Sequence, residues 1–273
     1  MTGVAGEGPA PARDNKSSRL RALLDLLAEH GRLSVTAAAG TLGVSEATVR
    51  RDFNSLAKQQ LVTRTHGGVV ATSVAYGLPV RYRGTGNDAK ERIATAAAQL
   101  VQPGEVVGFN GGTTTSSTAR RLAARSELAD QTAHPGLTVV TNALNIATEM
   151  VLRPHIRTVS LGGIARPQSY ELVGPLATMV LRELWVDRLF LGVDGLTADS
   201  GASCFHEGEA AVNAMMVERA SQVTVVATAE KLGRRTFARI CDTASISTLV
   251  TDASAEEARV SELRALGMRV VVA

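Results

Sequence analysis

From residue 89 onward, short continuous aliphatic runs alternate with helical segments, and this alternation limits the fold more than any other feature of the chain. Strands are expected at 105–109, 137–141, 156–161, 188–193, 222–227, 247–251 and 268–272. Helices fall between most of them, the first an Ala-rich helix over 91–101. Strands that are apolar on both faces need cover on both faces, so the pattern predicts an α/β domain with a largely parallel, Rossmann-like sheet between helical layers. In such sheets ligands bind beyond the carboxyl ends of the strands.

The first 70 residues follow a different rule. Leu20, Leu23, Leu24 and Leu27 share one face of a helix over 18–30, and Gly31 supplies a stop. A second short helix is expected from about Ser34 to Leu42, with Gly43 as the turn and Gly40 as a weak interior position. A third helix then opens at Ser45, whose hydroxyl suits the N-cap. Val49, Phe53 and Leu56 would bury against its neighbours. Ala47, Arg50, Arg51, Asn54 and Lys58 form a polar, basic stripe on the other side, with Glu46 and Thr48 in the same first turn. Small Ala47 permits close approach to a groove, while Arg pairs with guanine or phosphate and Asn with adenine. Taken alone, this reads more readily as a solvated amphipathic helix with two arginines than as a DNA-reading one. Its context decides otherwise: helix, helix, Gly turn and capped basic helix is the helix-turn-helix order. Two β-prone runs around Gly67-Gly68 then predict a tight hairpin with Arg64 and His66 near its tip, a wing suited to phosphate or minor-groove contact.

Here the residues carry a family resemblance. VSEATVRRDFNSL followed by RTHGGV resembles the N-terminal signature of DeoR-type transcriptional regulators. That resemblance implies contact with double-stranded operator DNA through Ser45, Glu46, Ala47, Thr48, Arg50, Arg51, Asn54, Lys58, Arg64 and His66.

Bulk properties are compatible with this. The net charge is +3 and aromatic residues make up only 3% of the chain, so a mild basic balance suits an anionic partner while a base-stacking platform is not expected. No apolar run reaches the ~20 residues that span a bilayer, and no signal peptide is visible. Cys204 and Cys241 stand far apart outside any C-x-x-C pattern, which predicts reduced core thiols in a cytoplasmic protein. Residues 1–16, rich in Gly, Ala and Pro, are expected to form a disordered tail. Residues 71–88 are expected to link a winged helix-turn-helix domain (17–70) to an effector-sensing and oligomerisation domain (89–273).

The strand ends of the second domain hold small polar residues. Gly112-Thr113-Thr114 follows the first strand and opens a helix, so amides and hydroxyls converge on a positive dipole end that suits a phosphate. Thr141-Asn142, Gly162-Gly163 and Asp194-Gly195 follow the next three strands. Lys231 follows strand 222–227 and would neutralise a phosphate, and Glu209 would accept from hydroxyls. These residues form the expected effector site.

This half also resembles the DeoR family, since GGTTT, VVTN, LGG, FLGVDG, the Lys-containing turn and LVTD occur in the family's order. The resemblance implies a domain similar to ribose-5-phosphate isomerase that senses a phosphorylated sugar or related metabolite and supports homo-oligomerisation. The chain departs from the family twice: Asn110 and Thr228 stand where Asp is common. Both changes remove carboxylates from the implied hydroxyl contacts.

The expected function is a sugar-responsive transcriptional regulator, a repressor released by its effector, with no catalytic residue, cofactor or metal. The alternative is an active sugar-phosphate isomerase with an appended DNA-binding domain, which would need a base and an enediolate-stabilising group among Asp194, Glu209 and Lys231. A constitutive architectural DNA binder is a third reading, and it leaves the strand-end turns without a role. No G-x-S-x-G elbow, Walker A loop or H-E-x-x-H motif is present.

Overall fold

A computed structural model of the chain describes residues 16–30, 32–58, 62–65, 67–71, 88–128 and 136–273. The chain divides into two compact units, residues 1–80 and 81–273. The tail expectation (apart from Lys16), Gly31, His66 and nearly all of the 71–88 linker expectation lie outside the described residues.

In the first unit, α1 (Lys16–His30) leads into β1 (Arg32–Ser34), α2 (Val35–Leu42) and α3 (Glu46–Lys58). The hairpin strands β2 (Val62–Thr65) and β3 (Gly68–Ala71) follow, and β1 completes an antiparallel sheet in the order β1-β3-β2. Strand β1 was not anticipated. Ser34 is not helical but caps α2, its hydroxyl accepting from the Ala37 amide at 3.1 Å. Gly43 ends α2 in the left-handed conformation (φ 63°), which a side chain disfavours. Ser45 Oγ accepts from the Thr48 amide at 3.2 Å at the start of α3. The core is aliphatic around Phe53, with Leu23, Leu27, Val49, Leu56, Val62 and Val69 packed together.

The two wing glycines differ in role. Gly67 makes the turn with φ 90°, whereas Gly68 lies inside β3, where a Cβ would collide with the Leu33 carbonyl of β1. Gly68 is thus the price of adding a third strand to the hairpin.

The second unit opens with α4 (Asp88–Ala98), β4 (Val106–Phe109), α5 (Thr113–Ala123), β5 (Leu137–Thr141), α6 (Leu144–Met150) and β6 (Ile156–Ser160). A small hairpin, β7 (Ile164–Ala165) and β8 (Leu172–Val173), precedes α7 (Pro175–Leu181) and β9 (Val186–Leu191). Then come β10 (Gly195–Thr197), β11 (Gly201–Cys204), α8 (Glu207–Glu218), β12 (Ala220–Val226) and β13 (Ala238–Cys241). The chain ends with β14 (Thr248–Thr251), α9 (Glu257–Ala265) and β15 (Arg269–Val272).

Seven strands form one sheet in the order β15-β14-β12-β9-β4-β5-β6, and every neighbouring pair is parallel. Alternate residues of β9 show why its second half is apolar on both faces: Leu189 and Leu191 enter one core and Phe190 the other. Two short sheets, β10-β11-β13 and β7-β8, add antiparallel pairs that the helix–strand alternation did not predict. The helix expected to open at Asn142 begins instead at Leu144, and the 91–101 helix runs 88–98.

The direction of chain progression across the sheet reverses between β4 and β9. From β4 the chain moves outward to β5 and β6; from β9 it moves the other way to β12, β14 and β15. A crevice opens at such a reversal because the flanking connections diverge.

Candidate functional site

Helix α3 separates its residues as its spacing predicts. Val49, Phe53 and Leu56 are buried, while Ser45, Glu46, Ala47, Arg50, Arg51, Asn54 and Lys58 are exposed and Thr48 is half-exposed. Arg50 Nη2 rests 3.2 Å from Glu46 Oε2, and the Thr36 hydroxyl donates to the other Glu46 oxygen at 2.8 Å. The Thr36 hydroxyl, followed by Arg50, holds the Glu46 carboxyl below its ordinary value. Arg51 Nε donates to the Ala47 carbonyl at 3.3 Å. Both guanidinium groups thus lie along the outer face of the helix. Arg64 is exposed on β2, opposite Val69.

Asp52, to which the sequence reading gave no role, is only 2% exposed. Arg19 of α1 meets it with Nε at 2.6 Å and Nη2 at 3.3 Å. The pair ties α3 to α1 from behind, fixing which face of α3 points outward.

In the second unit, a cavity of about 220 Å³ lies at the carboxyl ends of β4 and β9, where the topology reverses. Gly112, Thr113 and Thr114 line it from the start of α5, Asp194 from the end of β9, Glu209 from α8, and Lys231 from the 3-10 turn after β12. Gly112 has φ 136°, a conformation that turns the chain sharply into α5. Lys231 Nζ lies 3.9 Å from both Asp194 and Glu230, and Glu209 accepts from Arg166 Nη1 at 3.0 Å.

Five residues of the expected site are not among those lining the cavity. Thr141 is buried, donating to the Phe109 carbonyl at 2.7 Å and accepting from the Ala143 amide at 3.0 Å. Buried Asn142 donates to Glu171 Oε2 at 3.1 Å. Gly162 abuts Leu176, and Gly163 (φ 137°) packs where a Cβ would come within 2.7 Å of the Val173 carbonyl. Gly195 lies in β10, pressed against the Arg234 carbonyl. The glycines and Thr141 serve backbone geometry, the ordinary use of such residues in strand-end turns, while Asn142 holds the carboxyl group of Glu171.

Other residues of the cavity wall escaped the sequence reading. Glu171, 4% exposed, forms part of the wall beside Gly111, where any Cβ would collide with its carboxyl group. Burial and then the nearby Glu209 raise the Glu171 carboxyl to about 8, against the pull of Asn142, the Gly111 amide and Asn213. At neutral pH it is therefore a protonated acid. Lys90, Gln168, Ser169 and Asn213 also line the cavity. The one visible signal for Glu171 was a carboxylate placed beside the apolar pair Leu172-Val173 in a short strand-like run.

Asn110 explains its own departure from the family pattern. Its side-chain amide accepts from the Gly192 amide at 2.7 Å and donates to the Gly192 carbonyl at 3.0 Å. It thereby clips the ends of β4 and β9 together across the reversal. An aspartate could make only the accepting half of this pair. Thr228 donates to Glu230 Oε1 at 3.2 Å. Cys204 also lines the cavity, and burial pushes its thiol up to about 12, so it is inert as a nucleophile. Both cysteines are buried and free.

Fold and sites define a class: a winged-helix DNA-binding protein with an α/β sensor unit. Residues 19–74 match the DeoR-like helix-turn-helix domain, and residues 86–253 match the DeoR C terminal sensor domain. The chain is 32% identical over 257 residues to the HTH-type transcriptional regulator GlpR of Haloferax volcanii, covering 93% of this chain and 97% of that protein. It is 30% identical over 260 residues to a putative aga operon transcriptional repressor of Escherichia coli, covering 94% and 93%. Among solved structures, ribose 5-phosphate isomerase A of Methanocaldococcus jannaschii is similar over 52% of each chain, at 18% identity and TM-score 0.37. The chain belongs to the DeoR family and is a DNA-binding transcriptional regulator.

Proposed function

We propose that this regulator represses a sugar or related carbon-catabolism operon and is released from its operator by a phosphorylated sugar-like effector. The observation that carries this reading is the cavity at the β4/β9 reversal, where the start of α5 and Lys231 face one space. A helix N-terminus with free amides, Thr hydroxyls and an ammonium group is a setting for a phosphate. Asp194, Glu209 and the protonated Glu171 offer oxygens to the hydroxyls of the rest of the ligand. The names of several relatives point the same way, among them the glycerol-3-phosphate regulon repressor of Escherichia coli.

DNA is read by Ser45 and the outer face of α3 as far as Lys58, together with Arg64 of β2 and with His66. The protein acts as a homo-oligomer in the cytoplasm. In support of self-association, α7 exposes Leu176, Met179 and Val180 at helical spacing, with Ile164 and Trp185 also exposed. Paired winged units then meet half-sites one helical turn apart. Effector binding favours an arrangement that fits those half-sites poorly.

The protein is not an isomerase in this reading. Moving a proton between adjacent carbons needs a free base, and the carboxyl groups lining the cavity are each engaged: Asp194 and Glu230 near Lys231, Glu209 with Arg166, and Glu171 protonated. Thermal shifts against glycerol 3-phosphate, hexose 6-phosphates and inorganic phosphate test the reading, because a ligand confined to the native state raises its stability. A shift is expected in the wild type, and Lys231→Ala should lose it at the same ligand concentrations. No shift with any phosphorylated compound would remove the effector reading.

A further inference from the structure

Helix α8 brings two polar side chains to the cavity, Glu209 and, one turn later, Asn213. Residues four apart share one face of a helix, and on the adjoining face Val212 and Met216 are buried in the apolar core. Glu209 is matched by Arg166, whose Nη1 lies 3.0 Å away. Asn213 is only 1% exposed, and its Oδ1 has no hydrogen-bond partner among the described residues. Of the buried side-chain atoms in that condition, it alone belongs to a residue of the cavity wall. The other end of the same amide is taken. Asn213 helps to hold the Glu171 carboxyl down, which an amide does by donating through Nδ2. Oδ1 is then the end left to accept. Asn is a poor helix former, and a buried carbonyl oxygen without a donor is costly. An asparagine in the middle of α8 therefore calls for a use that neither the helix nor the core supplies.

We infer that Asn213 Oδ1 accepts a hydrogen bond from a hydroxyl group of the effector, which makes the site specific for a phosphorylated polyol or sugar that keeps that hydroxyl. The inference rests on the phosphate reading of the cavity proposed above and states what the rest of the ligand carries. An amide oxygen needs a donor. A carboxylate, carbonyl or phosphate oxygen has no proton to give, so an acid at this point would set two acceptors against each other. An ammonium donates, but its charge finds no match: Glu209 is already paired with Arg166, and Glu171 is a neutral acid. A hydroxyl donates to Oδ1 without bringing charge, and its own oxygen still accepts. Phosphate and hydroxyl are thus addressed from different elements, the start of α5 with Lys231 and the middle of α8.

The test uses the full-length protein and matched phosphorylated compounds, with Kd read by titration calorimetry. Glycerol 3-phosphate is set against propane-1,2-diol 1-phosphate and propane-1,3-diol phosphate, and glucose 6-phosphate against its 2-, 3- and 4-deoxy analogues. Each analogue lacks one hydroxyl of its parent. In the wild type at least one of them should bind about 10–100-fold more weakly than its parent, because it leaves Oδ1 buried without a donor. Asn213→Leu, close in shape but unable to accept, should bring that ratio to within about threefold of one, with the deoxy compound bound about as well as by the wild type. A purely structural role for Asn213 would weaken parent and analogue together; ratios unchanged in Asn213→Leu would therefore overturn the inference. Asn213→Ala repeats the comparison if the Leu variant fails to fold. The inference also falls if every analogue binds as tightly as its parent, or if inorganic phosphate binds at least as tightly as both parents. Glucosamine 6-phosphate checks the partner's charge: a preference for it over glucose 6-phosphate that Asn213→Leu abolishes would assign Oδ1 to an ammonium and overturn the hydroxyl. A wild type that binds none of these compounds, inorganic phosphate included, would bring down the reading of the cavity itself, and the inference with it.

Discussion

The two units each bury a carboxylate beside their working surface, and they hold it in opposite ways. Asp52 faces a guanidinium, Arg19, across 2.6 Å. Glu171 faces amides, from Asn142, Asn213 and Gly111, and has Glu209 as its neighbour in charge. Burial and the neighbouring Glu209 outweigh those amides, so the second carboxyl keeps its proton. The contrast follows the task of each site. The proposed DNA-reading face calls for a rigid helix held at a set angle, and an ion pair between α1 and α3 ties that helix down. Under the proposed effector reading, a neutral acid in the cavity can accept from a ligand hydroxyl without repelling a phosphate.

The largest effect is expected where charge compensation is removed. Arg19→Met leaves Asp52 buried without its partner and should lower the stability of the first unit by about 3–5 kcal/mol. Urea unfolding followed by circular dichroism reads this directly. A loss below 1 kcal/mol would mean that the pair contributes little to holding α3. Next comes the outward face of the same helix. Arg51→Ala should weaken operator binding by about 1–3 kcal/mol with the fold unchanged, as read by fluorescence anisotropy. If Arg51 meets phosphate instead of a base, the loss will be uniform across sequences and the slope of log K against log salt will drop by about 0.9. Unchanged operator affinity would sink the assignment of this face.

The smallest effect sharpens the other half of the comparison. Burial and Glu209 raise Glu171 from 4.5 to about 8. Between those values the folded chain holds a proton that the unfolded chain has released, so the contribution of this group to stability falls as pH rises through that window. Glu171→Gln keeps the neutral shape and should flatten that dependence, becoming more stable relative to wild type as pH climbs towards 8. Melting temperatures at pH 5, 6.5 and 8 decide it, and parallel curves for the two proteins would contradict a protonated Glu171.

The exposed basic face of α3 was legible because its residues lie within one helix, where a 3.6-residue period alone sorts Arg50, Arg51 and Asn54 from Val49, Phe53 and Leu56. The sensor cavity was legible only in part. Gly112, Thr113, Thr114, Asp194, Glu209 and Lys231 were found by looking just past strand ends, and these six do line the cavity. Thr141, Gly162, Gly163 and Gly195 satisfy the same local rule yet do not line the cavity, because turn geometry demands small or capping residues whether or not a ligand is near, and Asn142 reaches it only through Glu171. Lys90, Glu171 and Asn213 escaped because they come from a first helical turn, a two-stranded hairpin and the middle of α8, none of which strand-end logic examines.

The sequence by itself determined the alternation that yields a parallel sheet, the capped basic helix with its wing, and the phosphate-suited start of α5. Each is a local pattern of period, capping or turn chemistry within about a dozen residues. Only the tertiary structure decided that Arg19 pairs with Asp52, that Asn110 clips β4 to β9 through Gly192, and that Glu171 sits against Gly111 with its proton retained. Those outcomes depend on which distant segments are brought within hydrogen-bonding distance and on how much water is removed from around them, and neither quantity is encoded in any single stretch of chain.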